Sequence, residues 1–157
     1  MALGRDRQLE KTEITFSSVA VTTRGPVMVF QTSGSGASLG ATAGTVDKVA
    51  NPSGKTPAGI LLQDVVSTDQ SRYHLNFHKE EVPSGAPVEL LTRGWVHTSN
   101  YTGTPTAGAT AYLTTNGNVT PTMSATGGLV ATPKVGQFQS IPDADGYVRL
   151  AINLPVV

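Results

Sequence analysis

Asp145-Gly146-Tyr147-Val148-Arg149-Leu150-Ala151-Ile152-Asn153-Leu154-Pro155 is the stretch that decides the fold. Apolar side chains hold positions 148, 150, 152 and 154, and Tyr147, Arg149, Ala151 and Asn153 alternate with them. A period of two places one set on a buried face and the other on the opposite face of a β-strand. The turn residues Asp143-Ala144-Asp145-Gly146 come before the strand, and Pro155, which cannot donate to a ladder, stops it. Val135-Gly136-Gln137-Phe138 lies on the other side of that turn, so the two runs predict a hairpin.

The same pattern continues upstream. Thr110-Ala111-Tyr112-Leu113-Thr114-Thr115 and Asn118-Val119-Thr120 flank Asn116-Gly117, a dipeptide suited to the two positive-φ positions of a type I′ turn. From Pro87 the spacing predicts a meander, with Val88 to Arg93, a bulge marked by Gly94, and then Trp95-Val96-His97-Thr98. Trp95, the single tryptophan, is read as a core anchor in preference to an interface hot spot. Gly59-Ile60-Leu61-Leu62-Gln63-Asp64-Val65-Val66 is an apolar run of the kind buried on both faces, and it is expected at the centre of the core. Arg72-Tyr73-His74-Leu75-Asn76-Phe77-His78 alternates strictly and predicts another strand. So do Pro26-Val27-Met28-Val29-Phe30 and the half-buried pattern of Ile14, Phe16, Val19 and Val21. About eight short strands with no amphipathic helix make an all-β domain, a compact antiparallel barrel or sandwich.

The chain has 157 residues, enough for one domain. Of its eleven basic and eleven acidic residues, six fall in the first thirteen positions: Arg5, Asp6, Arg7, Glu10, Lys11 and Glu13. Residues 1–20 are therefore read as an extended N-terminal arm, and residues 1–13 as too polar to belong to a core. Residues 21–157 are read as a single β domain with a flexible Gly/Ser-rich loop near 33–58. The segment 94–133 contains no Asp, Glu, Lys or Arg, which is a poor place for acid, base or nucleophile chemistry. A charged fraction of 14% is low against about 25% for a typical soluble domain, so like copies repel one another weakly. Zero net charge argues against a nucleic-acid partner, which would call for an excess of Lys and Arg. No apolar stretch is long enough for a membrane span, and the N-terminus lacks the apolar region of a secretory signal, so synthesis in the cytoplasm is expected.

Motifs that could carry chemistry fail on their spacing. Gly54-Lys55-Thr56 resembles the end of a phosphate loop, but Val49 stands where the Walker pattern needs glycine and Pro52 interrupts the cradle. The glycines of 33–40 lack a following helix to present to a phosphate. Asp143-Ala144-Asp145-Gly146 opens like a calcium loop without the later bidentate carboxylate, and turn chemistry explains it. His74 and His78 on a strand stand about 13 Å apart, too far for one metal. Asp64, Asp69, Glu80, Glu81 and His97 show no spacing that assembles an acid and base pair. With no cysteine there is no disulfide or thiolate, and the Thr sequons at Asn100 and Asn118 are chance in a Thr-rich chain. No catalytic, metal-binding or cofactor residues are assigned, and a non-enzymatic protein is expected.

Gly94-Trp95-Val96, Gly108-Ala109-Thr110-Ala111-Tyr112-Leu113 with Asn116-Gly117, Val135-Gly136-Gln137-Phe138 and the closing run from Asp145 to Pro155 together resemble the second half of tailed-bacteriophage capsid decoration (cement) proteins. The likeness covers roughly Gly59 to the C-terminus, and the first sixty residues match in character only. The resemblance implies a tulip-like β domain with an arm, on the outer surface of the expanded icosahedral capsid. There it would bridge subunits of the major capsid protein against internal DNA pressure. It implies a homo-oligomer, a trimer in preference to a dimer, made in the host cytoplasm and kept in the virion. Arm and strand residues Arg5, Arg7, Leu9, Ile14, Phe16 and Val19 become candidate capsid contacts, with Arg72, His74 and Trp95 as a secondary set on the rigid face. The alternative is a phage fibre or tail-associated module that binds a glycan, to which Tyr101 and Trp95 would contribute an aromatic platform.

Overall fold

A computed structural model describes residues 3–32, 44–63, 81–123 and 132–155. Among them run nine strands: β1 (Leu3–Ser18), β2 (Val27–Phe30), β3 (Gly44–Asp47), β4 (Pro57–Leu61), β5 (Pro87–Thr98), β6 (Thr110–Leu113), β7 (Val119–Thr120), β8 (Lys134–Phe138) and β9 (Val148–Asn153). The fold is all-β, as the alternation predicts. The order β1-β3-β2-β4-β5 closes on itself because β5 also pairs with β1, giving a five-stranded barrel. The strands β9-β8-β6-β7 continue from β5 as a four-stranded wing. Every pairing is antiparallel except β1 with β3.

The long strand β5 joins the two parts. Its first half pairs Leu90 and Leu91 with β4, and its second half, Arg93 to Thr98, pairs with β9 from Asn153 to Val148. The strands after β5 are therefore not a simple meander. The six-residue alternation of β9 matches the length of that second half, whereas the shorter β6 pairs with β8 and β7.

Two cores result. Met28, Val46, Ala58, Leu61, Val82, Val88 and Leu90 fill the barrel, with Phe16 partly buried against them. Val27, Val29, Ile60, Leu62 and Leu91 point from the barrel wall toward Leu113, Phe138, Val148, Leu150 and Ile152 of the wing. This explains the unbroken apolar runs of β2 and β4: a wall with a core on each side needs apolar residues at successive positions. Leu62 extends that pattern past the end of β4, while Asp64, Val65 and Val66 lie outside the described residues, as does the strand expected at 72–78. In β9 and just past its end, Val148, Leu150, Ile152 and Leu154 are buried and Asn153 is exposed, as the alternation predicts. Full burial of one such side chain contributes about 1.5 to 3 kcal/mol.

The Asn116-Gly117 turn departs from the two-residue form. Both residues have positive φ, 58° and 78°, yet Thr115–Gly117 forms a 3-10 turn and Thr114 N–H donates to Asn118 at 2.8 Å. The loop is longer because tertiary contacts set it. Asn116 N–H donates to the Val49 carbonyl at 2.9 Å, and Gly117 packs so close to Pro26 and Val27 that a Cβ would have no room.

Candidate functional site

The segment read as an arm runs as β1 along β5, from Leu3 opposite Thr98 to Ser17 opposite Pro87. Leu3 is buried in the core between barrel and wing, an exception to the polar character of the first thirteen residues. Its neighbours make a different surface. Leu9, Ile14 and Val19 are 42%, 66% and 42% exposed, beside the exposed charges of Arg7, Glu10 and Lys11. Lys11 and Glu13 pair at 3.1 Å, and Glu10 pairs across to Arg93 at 3.0 Å. These bridges lie in water, where such pairs contribute about 1 kcal/mol or less.

The bulge expected at Gly94 is present, but the extra residue belongs to β1. Leu9 faces Gly94 and Lys11 faces Arg93, leaving Glu10 unmatched. Gly94 permits this with φ 139°, and a Cβ there would run into the Gln8 carbonyl.

Trp95 is not a core residue. It is half-buried on the outer face of the wing, because the register of β5 points Val96 inward. Its indole Nε1 donates to Gln8 Oε1 at 2.7 Å, and the Arg149 guanidinium lies 3.9 Å from the ring centroid. His97 packs beside it at 5.3 Å. The register then draws a row across five strands: Gln8, Trp95, Ala151, Gln137 and Thr110. The row carries no charge. An aromatic platform for a sugar needs an open ring face, and Arg149 covers one face of this ring; Tyr101, half-buried, packs against the core.

At the barrel end of β1, Phe16 meets Phe30 edge to face at 5.2 Å. Both line an apolar groove of about 300 Å³ with Pro57, Ala58 and Leu154.

The predicted arm contacts therefore lie along β1 or, for Val19, just past its end, but not at one spot. Arg5, Arg7 and Leu9 lie along the wing and Ile14, Phe16 and Val19 at the barrel, and the sixteen-residue strand spans roughly 50 Å. Arg72 and His74 lie outside the described residues. Sequence reasoning missed Phe30, Gln8 and Arg149. Phe30 ended an apolar run and carried a signal, whereas the Gln8–Trp95–Arg149 stack depends on a pairing 87 residues apart that no local pattern announces.

Among the described residues no group of three or more His, Asp or Glu is placed to hold a metal ion. Glu81 sits before the start of β5 and His97 near its end, while Asp64, Asp69 and Glu80 lie outside the described residues.

The sequence model of a family described as structural cement protein (E217 gp24/Pam3 gp6) matches residues 11–153 of the chain. No curated protein matches it.

Proposed function

Because the chain belongs to the structural cement protein family, it is a phage structural protein that stabilises the capsid, and we propose that it does so from the outer surface of the expanded head by bridging major capsid protein subunits. The carrying observation is β1. Among the described residues this strand is paired to β5 from Leu3 to Ser17 across four register shifts, but on its other edge only at Phe16 to Ser18 with β3. It bears Leu9 and Ile14 exposed, and Val19, exposed too, follows directly after its end. An edge with apolar side chains offers main-chain pairing and pockets together to an extended capsid segment. Arg7, exposed on the same strand as Arg5, adds charge that sets orientation. Trp95, with Gln8 and Arg149, forms a rigid secondary surface.

The low charge density that permits close packing on a lattice also favours contact between copies, and a trimer matches local threefold positions of a capsid. The same neutrality leaves nucleic acid without an electrostatic footing. No catalytic role is assigned to any residue.

Co-sedimentation with expanded heads stripped of their cement protein tests the reading. The full chain is expected in the pellet, and Ile14→Asp and Val19→Asp are expected to weaken attachment roughly tenfold each, the effect of losing an apolar contact of about 1.4 kcal/mol. A full chain that stays in the supernatant at every concentration refutes it.

A further inference from the structure

The β8–β9 connection ends in an exposed apolar tip. Ile141 is 65% exposed, and the turn beneath it is fixed. Asp143 Oδ1 accepts from the backbone N–H of Asp145 at 3.0 Å and of Tyr147 at 2.8 Å, and Asp143 N–H donates to the Tyr147 carbonyl at 2.9 Å. Gln139 N–H donates to Arg149, and Arg149 N–H donates to the Ser140 hydroxyl. A large apolar side chain exposed on a turn whose backbone is bonded on both sides is the form of an interface anchor, since little backbone entropy is left to lose on docking. Asp143 and Asp145, both exposed, follow it in the turn, and neither takes part in an ion pair among the described residues.

The other end of the same strand pair holds the complement. An open trough of about 510 Å³ lies on the outer face, lined by Gly136, Ala151 and Pro155 together with the polar side chains of Lys134, Gln137, Thr110 and Asn153. Gly136 is required by the close pairing of β8 with β9, because a Cβ there would strike the Ala151 carbonyl. Lys134 is exposed and makes no ion pair among the described residues.

We propose that the trough receives the Ile141-Pro142 tip of a second copy of this chain, with Lys134 of one copy facing Asp143 and Asp145 of the next. Charge supports the pairing: the apolar tip, followed in the turn by two carboxylates, meets a trough of mixed polarity that carries one ammonium group. Knob and trough lie about 17 Å apart along the strands, so the contact joins unlike patches head to tail, the arrangement from which cyclic rings are built. The inference rests on the oligomer proposed above and names its surface.

Sedimentation velocity on the full chain over a dilution series tests it. The wild type is expected to self-associate. Ile141→Asp, at a site that holds no part of the fold, is expected to raise the dissociation constant roughly thirtyfold or more. Lys134→Glu is expected to raise it about tenfold, and Lys134→Glu combined with Asp145→Lys in one chain to restore it, because the charges are exchanged and not lost. Circular dichroism on each variant separates lost association from lost folding. A folded Ile141→Asp chain that associates like the wild type overturns the proposal, as does a charge exchange that rescues nothing. A variant that associates normally but no longer sediments with heads also overturns it and assigns the tip to the capsid. Wild-type chain that binds heads while remaining monomeric removes this contact and leaves the capsid reading standing; association without head binding does the reverse.

Discussion

Replacing Gly94 by alanine attacks the seam on which the barrel closes. Two costs follow from the geometry. The first is backbone strain, since φ 139° is a conformation that a residue with a Cβ adopts only at about 1 to 2 kcal/mol. The second is displacement of β1. The new Cβ would overlap the Gln8 carbonyl and stand 3.2 Å from Glu10 N, so β1 must retreat and the ladder bonds flanking the bulge are lost at about 1 kcal/mol each. Two such bonds bring the total to about 3 to 4 kcal/mol, a large part of the 5 to 15 kcal/mol that holds a domain together. For a chain of this size that lowers Tm by roughly 10 °C. Gly108→Ala is the control: its φ is 88° and a Cβ there meets nothing within 4 Å, so it carries the strain term alone, about 1 to 2 kcal/mol. Urea unfolding of both variants gives the difference. Trp95 fluorescence adds a local probe, because its indole is bonded to Gln8 on the strand being displaced. Equal losses for the two variants, or unchanged Trp95 emission in the Gly94 variant, would refute the claim that β1 is pressed against Gly94.

Phe138, fully buried between barrel and wing, is expected to cost about 3 to 5 kcal/mol as alanine, measured by the shift of the urea midpoint at unchanged slope. Amide hydrogen exchange should find the N–H groups of β5 from Arg93 to Thr98 among the slowest in the chain, since β1 covers one side and β9 the other. Fast exchange there, with slow exchange in β2 and β4, would place the stable unit in the barrel alone.

The strands were legible wherever their environment was simple. β9 has one wet and one dry face, and its alternation states this directly. β4 read correctly as doubly buried because a wall between two cores demands apolar residues at consecutive positions, and β2, read only as a strand, obeys the same rule. What escaped were facts of pairing. Nothing local to Leu3 says that it reaches the core, because its burial is created by Thr98 opposite it, 95 positions later in the chain. Trp95 was misplaced for the same reason: Gly94 allows a bulge on the facing strand, and only with that pairing fixed does the register turn Val96 inward and the indole out. The candidate contact residues of β1 were identifiable by exposure-prone composition, yet their separation along a long strand could be measured only once that strand was seen to be continuous.

Barrel closure constrains how β1 can serve a capsid. The ring is completed by β1, which joins β3 at Phe16 to Ser18 and β5 from Leu3 to Ser17. Donating that strand outright would open the barrel, expose Met28, Leu61 and Leu90, and remove Leu3 from the second core. Each buried side chain lost to water costs about 1.5 to 3 kcal/mol, so a donated strand would have to recover the stability of a domain from one new contact. Adding a neighbour to β1 demands none of this. The groups it would use are already extended and held in register by β5, so the ordering entropy of about 1 to 2 kcal/mol per residue falls on the incoming segment alone. On the proposed reading, attachment therefore proceeds by addition to a strand the protein keeps, and the charged residues concentrated along β1 keep that edge from pairing with the wrong partner before a capsid is met.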